Sequence, residues 1–410
     1  MPQPYDAIIA GGGPAGASAA YFLAEAGWRV LLLEKAIPPR YKACGGGLSA
    51  RALAGLFPFD FEPVIEASIQ SVRWIRDGRG ATFPVGRHAI RTVMRDRFDA
   101  TLLAHTRAEV RTVVAVRRVR EQPQSVIVET DAGERLEAAY LIGADGAASV
   151  VAREAGLRRG KSMAGALEVE LPVSPDVLRR LGGTLQFVFG DVRLGYAWVF
   201  PKASVLSVGI MGLRPRPGEL QAGLRRLAAR FGLSLEGAVI HGHPIPLYLR
   251  PERLMTRRIL LVGDAAGLAD PLSGEGIRLA LKSGHLAAQA LIAGRPQRYP
   301  WLIWRDIGLS HIISGFFLRL YGLAPDLLFD LGACNPWISQ ALMAVLADRA
   351  TFVRVFFTAL WSVPLQALRV LLGRAHQSLP SPAPFEPANR PAASGSVNGL
   401  RLWKSVRRRE

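Results

Sequence analysis

Residues 5–10, YDAIIA, alternate and then fill with apolar positions, the pattern of a strand buried on both faces of a parallel sheet. They run straight into Gly11-Gly12-Gly13-Pro14-Ala15-Gly16. The stretch that follows, ASAAYFLAEAG, predicts a helix ending at Gly27, and WRVLLLEK predicts a second parallel strand ending on Glu34. Further on, LIGADGAASVVARE (141–154) reads as a buried strand closing on Asp145 and Gly146. The strand ILLVGD (259–264) leads through a Gly- and Pro-rich turn into the helix IRLALKSG. Between them TLQFVFGD and YAWVFPK alternate with period two, as strands of a second sheet do.

From residue 296 the pattern turns helical and apolar. The uncharged run Val355–Leu368 is too short to span a bilayer and is interrupted by Pro364. Two readings stand for these helices. They lie in a membrane interface or line a lipid-sized tunnel, with Arg349, Arg354 and Arg369 at phosphate level, or they form an ordinary buried helical core. The segment QSLPSPAPFEPANRPAASGSVNG predicts a disordered linker to a basic tip.

The expected fold class is α/β, with three parts. A discontinuous Rossmann-like domain with a parallel sheet comprises 1–50, 90–160 and 255–295. A mixed β-sheet substrate domain comprises 51–89 and 161–254. A helical lipid- or membrane-facing region spans 296–376, followed by a disordered basic tail, 377–410.

Composition narrows the class. The chain has 410 residues, half of them hydrophobic, which is enough for sizeable cores and excludes disorder for most of it. Its two cysteines, Cys44 and Cys334, are too few for a disulfide framework, and the N-terminal stretch lacks the basic flank of an export signal. A cytoplasmic location is expected, peripheral on the inner membrane face if the helices meet lipid. The net charge of +18 asks for a polyanionic partner or a solvated basic surface, but no nucleic-acid-binding motif accompanies it.

Strand, glycines, helix, strand and terminal acid together form a dinucleotide fingerprint. Gly11 makes the tight turn, Gly13 lets the backbone reach a pyrophosphate beside Pro14 and Ala15, Gly16 packs helix on strand, and Glu34, next to Lys35, accepts from ribose hydroxyls. A cofactor as long as FAD must be gripped at separated points, and the later stretches supply them. Asp264 is placed for a ribityl hydroxyl. The turn from Pro271 to Gly276, with Gly274, Gly276 and Ile277, presents backbone N–H groups at a helix start, which favours the anion of reduced flavin.

In this order the three stretches resemble the FAD-binding fold of para-hydroxybenzoate hydroxylase and its relatives. The resemblance implies that Arg95 lies against the cofactor; an exposed helix arginine is the competing reading. Two further motifs, PPRYKACGGGLS and GYAWVFP followed by glycines, resemble the geranylgeranyl reductase family. Gly209 and Gly212 stand three apart where the family's glycines stand two apart. The resemblance implies a prenyl-chain substrate, a catalytic Cys44 or Tyr196, Gly45 and Gly46 beside the flavin ring, and a substrate cavity lined by Tyr41, Gly47, Tyr196, Trp198 and Phe200. A surface turn at Gly45–Gly47 and an ordinary core strand at 196–200 are the plainer alternatives.

An ordinary cysteine thiol is protonated at neutral pH, so Cys44 has a proton to give, with Tyr196 or Tyr41 as other donors and an inert buried thiol as the remaining reading. The expected activity is reduction of prenyl carbon–carbon double bonds, with electrons from NADPH or a ferredoxin-type donor, a prenyl lipid or diphosphate as substrate, and no metal. A flavin monooxygenase or halogenase, and an electron carrier to membrane quinone, are the rivals.

Overall fold

In the computed structural model, which describes residues 5–86, 89–157, 162–371 and 383–384, the first apolar run is the strand Tyr5–Ala10 at the middle of a seven-stranded sheet. Ile8 and Ile9 are fully buried. This strand pairs in parallel with Val30–Glu34 on one side and Arg135–Gly143 on the other. Glu109–Thr112 and Ile259–Leu261 extend the parallel set, and Val116–Glu121 and Val126–Thr130 add an antiparallel flank. Parallel strands need crossovers that cover both faces, which is why these strands read as continuous apolar runs and not as alternating ones.

Two of the covering helices, Pro14–Glu25 and Ile277–Ile292, cross in tight contact. A Cβ added at Gly284 would overlap the Ala15 carbonyl and stand 3.0 Å from Ala19 N. Ser18 Oγ donates to the Leu281 carbonyl at 2.8 Å, fixing rotation of one helix on the other. Both N-termini thereby open toward one cleft.

The second sheet is mixed. Its strands run in the order His241–Leu247, Ser162–Pro172, Val205–Leu213, Gly195–Pro201, Thr184–Phe189, Ser71–Arg76 and Arg79–Pro84, with Ala383–Pro384 beyond. Only Thr184–Phe189 with Ser71–Arg76 is a parallel pair. One face packs on the helix Glu219–Phe231 through Ile210, Leu224 and Leu227, while the other carries Tyr196, Trp198 and Phe200. A small third sheet of Gly47–Ser49, Ile90–Val93 and Ile65–Ile69 lies between the two larger ones, and the sequence boundaries at 50 and 90 fall at the ends of its strands.

The C-terminal region is helical through Leu309–Leu323, Pro325–Cys334, Pro336–Leu346 and Phe352–Leu371. Pro325 and Pro336 occupy first turns, where a missing N–H costs nothing. Asn335, fully buried, caps the third of these helices through Trp337 N and Ile338 N, and its amide holds Ser362 and Gln366 of the fourth. Pro364 does not interrupt the last helix as its sequence suggests; the helix carries it inside and forgoes one hydrogen bond. The buried-core reading of this region holds in part. Ile338, Ala341, Val345, Phe352 and Val355 form a core of their own, while Trp301, Trp304, Phe316, Phe357 and Trp361 are exposed. Among the described residues no helix is long and apolar enough to cross a membrane. The 377–410 tail lies outside the described residues apart from Ala383–Pro384, as does the Arg369 side chain.

Gly284→Val should wedge the two crossing helices apart and lower stability by about 1–3 kcal/mol, the usual range for overpacking. Urea midpoints compare the two proteins, and an unchanged midpoint would show that the contact is slack.

Candidate functional site

The strand Tyr5–Ala10 ends at Gly11, whose φ of +105° and contact with the Ala144 carbonyl both exclude a side chain. Gly12 N donates to Glu34 Oε2 at 2.7 Å. Gly13 faces open space: a Cβ there would meet only Arg40 Nη2, at 3.8 Å. Gly16 faces inward against the Gly11 carbonyl and Ala144, holding helix to strand. The cleft so begun has a volume of about 740 Å³ and is lined here by Gly11, Gly13, Pro14, Ala15, Glu34 and Lys35. Glu34 is 3% exposed; its other oxygen accepts from Ala36 N at 3.1 Å and lies 3.4 Å from Arg40 Nε.

Asp145 also reaches the cleft, but its carboxylate is engaged in capping the helix Val150–Glu154, accepting from Val150 N at 2.7 Å and Val151 N at 3.0 Å. Asp264 lines the middle of the cleft, 4.0 Å from Lys42 Nζ. Lys42 in turn donates to His243 Nε2 at 2.7 Å. Burial and the neighbouring ammonium push His243 down to about 4, so it is a neutral acceptor at physiological pH.

Beyond Asp264 the turn into Ile277–Ile292 is held from below. Asp270, 2% exposed, accepts from Leu272 N at 3.0 Å, Ser273 N at 2.8 Å and Ser273 Oγ at 2.9 Å. Gly274 has φ +65° and lies against Met211 Sδ, with Tyr196 Oη 3.3 Å from where its Cβ would stand. Tyr196 donates its hydroxyl to the Ser273 carbonyl. Burial raises the Tyr196 phenol, so this hydroxyl stays protonated and serves to hold the turn. Gly276 and Ile277 present the first turn of the helix to the cleft beside Asp264.

The segment Tyr41–Gly46 crosses the cleft between these two ends. It is not a surface turn: Gly46 is buried and Cys44 half-buried. Gly46 has φ +72° and no room for a Cβ against the Val93 carbonyl, and a Cβ at Gly45 would stand 3.0 Å from the Phe200 ring and 3.2 Å from Trp198 Nε1. The glycines therefore do serve close approach, and the groups approached are this aromatic wall and Val93. Gly47 opens the strand Gly47–Ser49. Cys44 Sγ accepts from Gly46 N at 3.4 Å. Arg95 is buried, paired with Asp99 through Nε and Nη2, each at 2.8 Å, and its guanidinium also interacts with the Cys44 thiol. The exposed-arginine reading is thus overturned.

Register explains the wall. Across the second sheet one row reads His241, Glu168, Gly209, Trp198, Phe187; the next reads His243, Ala166, Met211, Tyr196. Gly209 has no Cβ because the Trp198 indole lies on it. Phe187 packs with Tyr196 and with Phe200, ring centroids 5.2 Å apart in each pair. The floor is therefore aromatic at one end and polar at the other, where Tyr41, 44% exposed, donates to Glu168 Oε2 at 2.6 Å.

Sequence reasoning missed Lys42, His243, Asp270, Glu168, Glu170 and Lys202. The acids left a signal: in ALEVELP two glutamates alternate inside an otherwise apolar strand, and period two puts both on one face.

The residues present fit an extended dinucleotide. An open glycine at a helix N-terminus, a partly exposed carboxylate and a second helix N-terminus lie along one cleft that ends at aromatic rings. Comparison with known proteins agrees. Residues 6–188 match the FAD dependent oxidoreductase family model. The chain is 34% identical over 302 residues to the geranylgeranyl diphosphate reductase of Rhodobacter capsulatus, covering 70% of this chain and 75% of the relative. It is 29% identical over 340 residues to the menaquinone reductase of Mycolicibacterium smegmatis, covering 76% and 82%. The crystal structure of a geranylgeranyl bacteriochlorophyll reductase-like protein from Thermoplasma acidophilum superposes with a TM-score of 0.71 at 24% identity, over 90% of this chain and 99% of that one.

Because Gly13 faces open space, Gly13→Val should fold normally yet lose the flavin, since its branches fill the pyrophosphate approach. Purified wild type should be yellow and the variant colourless, with matching circular dichroism. A yellow variant would place the pyrophosphate elsewhere.

Proposed function

The chain belongs to the geranylgeranyl reductase family of FAD-dependent oxidoreductases, and we propose that it saturates carbon–carbon double bonds of a prenyl chain. The observation that carries this reading is the dry aromatic wall of Tyr196, Trp198, Phe200 and Phe187, with the Cys44 loop pressed against it. An isolated alkene offers no polar handle, so it must be oriented by shape and held away from water. The menaquinone reductase and the geranylgeranyl diphosphate reductase among the relatives differ in head group, which supports a site that reads the chain and not the head.

Bound flavin, when reduced, supplies the hydride. The protein's own tasks follow from its geometry. Gly13 and the N-terminus of Pro14–Glu25 hold the pyrophosphate, Glu34 the ribose, and Asp264 a ribityl hydroxyl, while the N-terminus of Ile277–Ile292 favours negative charge at the ring. Lys35 at the cleft rim and Arg95 under the loop add positive charge. Cys44 holds a proton at Sγ and is the donor we assign, because the Tyr196 hydroxyl is engaged with the Ser273 carbonyl. Tyr41, Gly47, Trp198 and Phe200 border the chain. The electron donor is NADPH or a ferredoxin-type protein.

We also propose peripheral contact with a membrane through the exposed Trp301, Trp304, Phe316, Phe357 and Trp361. Arg298 and Arg305 stack on Trp301 at 5.9 and 4.8 Å, a pairing of aromatic ring and cation suited to the lipid interface. Replacing Trp301 and Trp304 together by alanine should reduce co-sedimentation with anionic lipid vesicles and leave flavin content unchanged; equal sedimentation of the two proteins would remove this face as the contact.

With reduced protein and a prenyl diphosphate or prenyl quinone, mass spectrometry should show a gain of two hydrogens per bond reduced. Cys44→Ser should keep the flavin and slow this reaction at least about tenfold, the low end for a positioned proton donor. An oxygenated or halogenated product, or quinone reduction with the prenyl chain intact, would overturn the reading in favour of a monooxygenase or an electron carrier.

A further inference from the structure

The polar end of the cavity floor holds ionisable groups that the reading above does not use. Glu168 and Glu170 project from one face of the strand Ser162–Pro172, the face that carries Ala164 and Ala166 into the aromatic cluster. Glu168 is 2% exposed and both its oxygens are engaged. Oε2 accepts from the Tyr41 hydroxyl at 2.6 Å and Oε1 from Ser207 Oγ at 3.0 Å. Ser207 Oγ in turn accepts from the Trp198 indole N–H at 3.3 Å, so the chain of hydrogen bonds ends on the wall itself.

Glu170 lies next to it. One of its oxygens pairs with the buried Lys202 ammonium, and the other, Oε2, is buried with no donor. Glu168 stands two residues away on the same face of the strand, so both acids share the single Lys202 ammonium beside them. Two buried anions against a single ammonium would leave an uncompensated charge in a dry site, and one retained proton removes it.

We propose that Glu168 and Glu170 share one proton and, through Tyr41, pass it into the cavity to recharge the residue that protonates the substrate. The inference rests on the proposed alkene reduction, in which each cycle consumes one hydride and one proton. As the new C–H bond forms, the donor's bond to hydrogen breaks and leaves an anion. The anion takes the Tyr41 hydroxyl proton, Tyr41 takes the carboxyl proton, and the carboxyl pair is refilled from water. No further oxidant or reductant enters. Tyr41 suits the transfer: it is part exposed, it is bonded to Glu168, and it precedes Cys44 by three residues in the same loop, near enough to feel the charge on that sulfur.

The titratable groups facing the pair come from every neighbouring element. They are Tyr41 from the loop, His241 from the adjacent strand, which stacks on Tyr41 with centroids 4.4 Å apart, and Lys202 from the turn after Gly195–Pro201. Lys42 and His243 lie one row further along. Burial, with the Glu168 charge added, pushes Glu170 up to about 7 against the pull of Lys202. Since the protonated form is the one that gives, the supply falls as pH rises through about 7.

Two measurements test this on the flavin-loaded protein. Infrared difference titration without substrate should show a protonated carboxyl band that disappears as pH rises through about neutrality and is absent in Glu170→Gln. Turnover with a prenyl quinone should fall with the same pH dependence in wild type and lose that limb in Glu168→Gln and Glu170→Gln. In Tyr41→Phe, which keeps the ring on His241 but has no hydroxyl, turnover should slow about tenfold or more while flavin content and the infrared band persist. A band that persists in both glutamine variants, or turnover whose pH profile in all three variants matches that of wild type, overturns the inference. The titrating band without any prenyl turnover supports the shared proton and counts instead against the prenyl substrate.

Discussion

Everything at the site depends on the crossing of Pro14–Glu25 and Ile277–Ile292. Two helices approach this closely only where their facing surfaces are small, and here the contact is Ala15, Ser18 and Ala19 against Gly284 and Leu281. The same contact extends to the strand ends: Gly263, at φ +54°, lies against Ala15 Cβ, and its N–H is held by Ser283 Oγ at 2.9 Å. Sheet, turn and both helices are thus locked as one piece. The consequence is electrostatic. Each helix directs its unsatisfied N–H groups and partial positive charge into the same cleft, one from Pro14 and one from Ile277. A cofactor with negative charge at both places is matched by backbone alone.

The substrate side obeys a different constraint, that of strand register. Because the two rows that face the cavity run from a histidine or acid through a small residue to an aromatic, the floor changes from polar to apolar over the width of a few strands. Gly209 makes the change abrupt by letting the Trp198 indole lie flat on the sheet beside Glu168. Large rings buried in this way exclude water from one end of the cavity, while the other end keeps hydrogen-bonded protons within reach. Such a division is what a reaction needs that takes a hydride on one carbon and a proton on its neighbour.

How much of this the sequence discloses depends on the range of the interaction. The nucleotide end was legible because its logic is local: strand, glycine turn, helix and terminal acid follow one another within thirty or so residues, and Gly11, Gly13 and Glu34 stand at the cleft as their spacing implies. The alternation of Tyr196, Trp198 and Phe200 was legible for the same reason. Arg95 was half legible: Asp99 is its i+4 neighbour on the helix Arg95–Ala104, but the Cys44 loop that encloses it is distant in the chain. The reason for the glycines after Cys44 was only half legible; close approach could be read from them, but Phe200, Trp198 and Val93, the groups approached, are distant in sequence. Pro364 misled because a propensity was weighed without the packing that holds the helix around it.

The helical region completes the site as well as covering it. Arg278, on the first turn of the helix after the flavin turn, pairs with Glu275 through Nε and Nη2 at 2.8 and 2.6 Å and with Asp348 at 3.0 Å. Asp348 sits just before the last helix, Phe352–Leu371, and Leu346 lines the cavity. From the other side, Ser314 Oγ accepts from Leu272 N at 3.3 Å, and buried His311 stands 3.6 Å from Asp270. The turn 271–276 is therefore braced by the same helical region whose outer faces expose Phe316, Phe357 and Trp361. The Arg278 pairs are only partly exposed to water, so breaking one leaves a charge short of its partner. The turn 271–276 and the outer face of these helices are thus joined through two polar contacts, Arg278 with Asp348 and Leu272 N with Ser314 Oγ.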